Sequence, residues 1–147
     1  SLESEYPLLV ERYELITDSG GAGTHRGRLG IRRDIRILSD SAEFSAHADR
    51  HTLPPRGTAG GKDGTPGRFI ARPGQPDERI LPHGRVSGVE LARGDVMRVE
   101  SPGSGGYGDP ARRDPDALRA DVEDGRVSAR SAREDYGRDL AGEGAPE

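Results

Sequence analysis

Three short strings in this chain carry groups able to do chemistry. His47, Asp49 and His51 alternate along one stretch, so on an extended strand their side chains project from a single face. Two imidazoles and a carboxylate are plausible zinc or manganese ligands. Positions two apart on a strand stand roughly 7 Å apart, wider than the edge of a compact tetrahedral site, so a solvated strand face is the simpler reading. Gly103, Gly105 and Gly108 spell G-x-G-x-x-G, which cradles a pyrophosphate when a strand precedes it and a helix opens directly after it. That setting is missing. Asp109-Pro110 follows the knot, the helix signal begins only at Asp114, and no later strand-like run completes a βαβ unit. Asp18-Ser-Gly-Gly-Ala-Gly offers successive amides for an anion nest beside Arg26 and Arg28, or a glycine corner reversing a β-hairpin. The corner is the simpler reading. Ser19 and Ser104 are flanked by glycine without the G-x-S-x-G spacing of a nucleophile, and Gly60-Gly-Lys-Asp-Gly-Thr lacks P-loop spacing. His25 and His83 sit singly in turn regions and read as surface residues.

The elements that must position these strings are mostly strands. Tyr6–Ile16 is β-rich, with Leu9, Tyr13 and Leu15 sharing one face at period two. Gly30–Leu38 alternates with Ile31, Ile35 and Ile37 on one side, and Glu43–Arg50 sets Phe44, Ala46 and Ala48 together. A Pro/Gly-rich loop runs over Leu53–Gly67. A short hairpin of Arg68–Arg72 with Arg79–Leu81 follows, and then the strands Arg85–Leu91 and Asp95–Ser101 around Ala92-Arg-Gly. Asp114-Pro115 starts a helix carrying Leu118 and Val122, stopped by Gly125. Ser128 caps a second, with Ala129, Ala132 and Tyr136 on one stripe and Gly137 ending it. The expected fold is mainly β, an antiparallel sandwich or open barrel with long Gly-rich loops, followed by two short C-terminal α-helices. The expected division is a β-rich domain over residues 1–109, a helical segment over 110–140 and a tail over 141–147.

Composition narrows the function classes. Only 26 of the 147 residues are Leu, Ile, Val or Phe, below the level of roughly 20% at which a core becomes thin. The net charge of −4 is too small to drive disorder, so the reading is a loop-rich folded module that leans on a further surface. Cysteine is absent, which excludes disulfides and thiolate metal sites. Lys62 is the single lysine among 22 basic residues, no basic stripe stands out, and aromatics are few, all of which argue against nucleic acid. No apolar run approaches the ~20 residues of a membrane helix and no signal-peptide pattern opens the chain, so a cytoplasmic protein without membrane contact is expected.

Laid in order, the turn strings resemble those of one family. They are E-Y-P-L-x-V-E-R-Y-E-L at Glu5–Leu15, D-S-G-G-A-G-x-x-R-G at Asp18–Gly27, L-G-I-R-R-D at Leu29–Asp34 and D-R at Asp49–Arg50. After these come G-x-x-G-G-x-x-G-x-P-G at Gly57–Gly67, G-D-V at Gly94–Val96, P-G-S-G-G-Y-G-D-P at Pro102–Pro110 and D-V-E-D-G-R-V-S-x-x-x-A-x-x-x-Y-G at Asp121–Gly137. The chain thus resembles the C-terminal portion of the hydantoinase B / 5-oxoprolinase family, which also includes the large subunits of acetone and acetophenone carboxylases. The resemblance implies a segment of an ATP-dependent hydrolase opening cyclic amides of the hydantoin or 5-oxoproline type, not catalytic alone. Its expected partners are the remainder of a hydantoinase B-type subunit and a hydantoinase A-type ATP-using subunit. No cofactor is expected on this segment, ATP and a divalent metal belonging to the full complex. The alternative is a free-standing, non-catalytic interaction module that binds a hydantoinase A-type subunit. The resemblance marks Asp18, Gly20, Gly21, Arg26, Asp49, Arg50, Gly60, Gly61, Gly103, Gly105, Gly106, Tyr107 and Gly108 as signature positions and assigns no catalytic residue. Two departures stand out: Arg28 replaces a usual glycine, and Ser104 replaces the second of four. Serine costs about 1 kcal/mol if position 104 needs a positive φ. His47 and His51 are not typical of the family.

Overall fold

The computed structural model describes residues 7–48, 54–81 and 84–140. Its strands are β1 (Leu8–Leu15), β2 (Ile31–Ile37), β3 (Ser41–Ala48), β4 (Arg68–Ala71), β5 (Arg79–Ile80), β6 (Gly84–Ala92) and β7 (Val96–Glu100). A 3-10 turn at Pro110–Arg112 precedes the helices α1 (Pro115–Glu123) and α2 (Ala129–Glu134). The chain folds as two compact units whose segments interleave along the sequence. One holds Ser1–Glu14, Ile31–Leu53 and Pro66–Ser101; the other holds Leu15–Gly30, Pro54–Thr65 and Pro102–Glu147. The glycine-rich strings therefore fall in the same unit as the two helices.

The first unit is built of two antiparallel sheets not closed into a barrel. A five-stranded sheet has the order β1-β2-β7-β4-β5, and β3 and β6 form a two-stranded sheet. Alternation decides what each face does. Ile35 lies opposite Met97, which lies opposite Ala71, and all three are buried. Met97 and Ala71 pack with Ile37, Phe69 and Leu81, and the other sheet contributes Ala42, Phe44, Val89 and Leu91 to the same core. Phe44 meets Phe69 edge-on, with ring centroids 5.4 Å apart. The strands joined by Ala92-Arg-Gly lie in different sheets. The turn, with Gly94 at φ 88°, moves the chain from the β3–β6 pair to the centre of the larger sheet.

One expected apolar face is not a core face. Leu9, Tyr13 and Leu15 of β1 are all exposed, and only Leu8 packs against the core. β1 is the outermost strand of the sheet, and only its first residue meets the apolar cover.

The opposite face of the five-stranded sheet is a ladder of ion pairs. Cross-strand rows place Arg32 beside Glu100 beside Arg68, and Asp34 beside Arg98. Asp34 receives Arg98 through two hydrogen bonds of 2.8 and 2.9 Å, and Arg12 of β1 lies 3.4 Å away. Glu100 is shared by Arg32 and Arg68, while Arg32 also reaches Glu14 at 3.0 Å. The Arg98 hydrogen bonds hold the Asp34 carboxyl below its ordinary range. Burial pulls Glu100 upward, but its bonds from Arg68 and Arg32 outweigh this and leave it lowered.

The second unit has its own core. Asp114 caps α1 by accepting the Asp116 N–H, Pro115 takes the first helical position, and Gly125 at φ 75° closes the end. Ser128 caps α2 by accepting the Ser131 N–H at 3.1 Å, and Gly137 at φ 71° follows it. Leu118, Val127, Ala132, Tyr136 and Leu140 are buried together with Ala22. Ala129, expected on that stripe, is exposed; Ser131 is buried in its place and bonds Asp135.

The ladder sets an acid response. Asp34 and Glu100 have folded-state pKa values below their unfolded ones, so their contribution is present above the unfolded values near 4 and is lost as pH falls through the folded ones. Urea midpoints of the chain should hold steady from about pH 7 to 5 and fall steadily below about pH 4. Asp34→Asn should lower the midpoint at neutral pH and flatten the acid slope. A slope unchanged by that variant would show that this pair does not set the acid response.

Candidate functional site

The signature strings converge on one glycine junction in the second unit, made from Asp18–Arg28, Pro55–Thr65 and Pro102–Gly108. Backbone groups join the three segments directly. Gly21 N–H donates to the Ser104 carbonyl, Gly106 N–H to Lys62, Lys62 N–H to Ala22, and Thr58 N–H to Gly106. His25 and Tyr107 exchange paired hydrogen bonds of 2.9 Å. At such spacing side chains have no room. A methyl group on Gly103 would overlap the Ser19 carbonyl, and one on Gly105 would overlap the Arg56 carbonyl. On Gly21 or Gly106 it would likewise meet the backbone of a neighbouring segment. Glycine is needed at these positions for close approach rather than for unusual dihedrals; of the G-x-G-x-x-G glycines only Gly108, at φ 82°, uses the left-handed region.

Ser104 fits without strain, because its φ is not positive and the cost raised for it does not arise. Its hydroxyl accepts the Arg28 N–H at 2.6 Å and its own N–H donates to the Arg28 carbonyl, so the two departures from the family strings bond each other. Ser19 is fully buried; its hydroxyl donates to the Ile16 carbonyl and accepts the Gly30 N–H. It is a structural pin.

The anion-nest reading fails on the same geometry. The Asp18, Ser19 and Gly21 amides donate to the carbonyls of Arg126, Ile16 and Ser104. Arg26 is committed to Asp121, with bonds of 3.0 and 3.3 Å, and Arg113 approaches the same carboxylate at 3.0 Å. Two guanidinium groups thus share one carboxylate whose side chain is only 7% exposed. Tyr136 lies beside this group, its hydroxyl finds no well-directed hydrogen bond, and burial raises its pKa. Asp18, held at φ 64°, accepts the Ser128 N–H at 2.8 Å and so anchors the start of α2.

The expected positions divide clearly. Asp18, Gly20, Gly21, Arg26, Gly60, Gly61, Gly103, Gly105, Gly106, Tyr107 and Gly108 all belong to the junction and its ion-paired support. Tyr107 is the exception in direction: its backbone is locked from both sides, yet its ring is 57% exposed and tilts towards His25 at 6.1 Å. Asp49, Arg50 and His51 lie outside the described residues, and of His47 the structure gives only its place in β3, opposite Arg85. Among the described residues no group of three His, Asp or Glu side chains fits a metal ion. Asp121, Arg113 and Tyr136 form a largely buried polar cluster, and sequence reading gave none of them a chemical role. A helix position four residues before a glycine stop is no signal for a shared carboxylate.

A unit of antiparallel sheets and a unit of backbone-bonded glycine loops with two short helices define the class of fold. The family pattern described as Hydantoinase B/oxoprolinase matches residues 1–110, and the chain belongs to that family. An uncharacterized protein of Methanocaldococcus jannaschii is 39% identical over 136 residues, covering 92% of this chain and 23% of that protein. Caprolactamase subunit beta of Pseudomonas jessenii is 38% identical over 149 residues, covering 97% of this chain and 25% of the subunit. In the crystal structure of the ATP-dependent caprolactamase of Pseudomonas jessenii, the matching part superposes with a TM-score of 0.76 at 34% identity, covering 90% of this chain and 23% of that one. The chain spans about a quarter of the length of these relatives. Among the described residues no helix is long and apolar enough to cross a membrane.

Close approach and left-handed backbone predict different penalties. Gly105→Ala puts a methyl group into the Arg56 carbonyl and should cost several times the ~1 kcal/mol expected of Gly125→Ala, where only the positive φ is at stake. Urea unfolding of the two variants side by side checks this, and equal losses would contradict the packing account. Asp121→Asn leaves two part-buried guanidinium groups without their carboxylate and should cost about 2 kcal/mol or more. Tyr136→Phe removes a poorly paired hydroxyl and should change stability by less than about 1 kcal/mol in the same assay.

Proposed function

We propose that this chain is the C-terminal segment of a hydantoinase B-type subunit of a cytoplasmic ATP-dependent hydrolase that opens cyclic amides, and that it supports a site built by other parts rather than catalysing alone. The single observation that carries this reading is the superposition on the ATP-dependent caprolactamase, in which the matching part is less than a quarter of the chain. The glycine junction supports the supporting role. Its amides and carbonyls bond one another, Arg26 and Arg113 are taken by Asp121, and what it offers outward is a rigid surface bearing Tyr107. In this reading ATP and any divalent metal are held elsewhere in the complex, and the partners are the remainder of the B-type subunit and an A-type ATP-using subunit. Activation of the amide carbonyl by ATP belongs to that complex, and this segment fixes the shape of the subunit around it.

The test compares the isolated chain with a chimera in which it replaces the matching portion of Pseudomonas jessenii caprolactamase subunit beta, each supplied with the caprolactamase ATP-using partner, ATP and caprolactam. The isolated chain should open no lactam, while the chimera should retain ATP-dependent ring opening and lose it on Gly105→Ala. Ring opening by the isolated chain at a rate comparable to the chimera rules the reading out. A soluble, partner-binding chimera without activity does so as well.

A further inference from the structure

Edge strands of natural sheets are guarded, and the two edges of the five-stranded sheet differ in this respect. At one end β5 is two residues long, too short to template another strand. At the other end β1 runs for eight residues without proline or lysine. Its charged side chains are turned to neighbours instead of guarding the edge: Glu11 pairs with Arg36, Arg12 with Asp34 and Glu14, and Glu14 with Arg32. Leu9, Val10 and Tyr13 are left exposed, Tyr13 at 69%. Among the described residues no strand pairs the outer edge of β1, and an edge of this length carrying exposed apolar side chains is the form a sheet takes when a further strand is added to it.

We propose that β1 is an internal strand in the complete protein, its outer edge paired with an extended, apolar-bearing strand from the rest of the B-type subunit. This inference rests on the functional reading above. The occupant follows from length: the relatives matched over nearly all of this chain are about four times longer, and the matching fold lies within one such longer chain. A strand added there hydrogen-bonds the outer backbone edge of β1, which no described strand pairs, and covers apolar side chains that the sheet leaves exposed.

Hydrogen exchange tests this on the isolated chain and on the caprolactamase chimera. The amides of Leu9–Glu14 should exchange at least about tenfold more slowly in the chimera, approaching those of the central strand β7. Equal exchange in the two settings overturns the proposal. Should the chimera prove insoluble, intact caprolactamase subunit beta gives the same readout, and edge-like exchange in its strand aligned with β1 is again fatal. Sedimentation velocity covers the competing occupant: an isolated chain that dimerises, and becomes monomeric on Leu9→Lys with Tyr13→Lys, would assign the edge to a second copy and reject the proposal. Failure of the two readings is separable. A protected β1 in an inactive chimera supports the added strand and counts against the functional reading, whereas activity with an unprotected β1 does the reverse.

Discussion

The close approach of three glycine segments is the constraint on which the second unit depends. Main chain touches main chain where Gly103 meets Ser19, Gly105 meets Arg56, and Gly21 and Gly106 lie against their neighbours. Carbonyls and amides at that distance form a network of inter-segment hydrogen bonds, so a loop region without regular strands still satisfies its backbone. Each glycine loses more chain entropy on folding than another residue would. The network offsets this only if all the segments arrive together. That explains how a chain with 22 glycines and few large apolar residues holds a defined shape. Order here comes from hydrogen bonds between backbones and from Asp18 and Asp121 tying the loops to the helices, with a small apolar cluster beneath.

The first unit solves the same shortage differently. Its two sheets share one small core around Met97 and Phe44, and the other face of the larger sheet is assembled from arginine–carboxylate pairs. Bidentate arginine suits that task because its planar fork bridges neighbouring strands while its stem covers apolar surface. This reads the abundance of arginine as sheet chemistry, with no need of a phosphate-bearing partner.

Both solutions suit a module within a larger protein. Among the described residues, the junction amides named above are taken by carbonyls of neighbouring segments, and the backbone of Tyr107 is held from both sides. The chain belongs to the Hydantoinase B/oxoprolinase family and shares the fold of the matching part of the caprolactamase.

Sequence alone determined the elements and the family. Strand alternation, the Asp114 and Ser128 caps and the glycine stops at 125 and 137 are local, since each depends on dihedral preference or on hydrogen bonds within a few residues. The order of glycine strings was likewise enough to identify relatives. Only the tertiary structure decided which strands pair, because nothing local to Ala92-Arg-Gly says that the chain changes sheets there. It also decided that the apolar side of β1 stays uncovered, since alternation marks two faces without saying which one meets a core. The role of the glycines was hidden for the same reason. A glycine needed for a turn and one needed because another backbone passes within contact distance look identical in sequence, and the neighbours that forbid a side chain at Gly103 and Gly105 lie roughly fifty to eighty residues away along the chain.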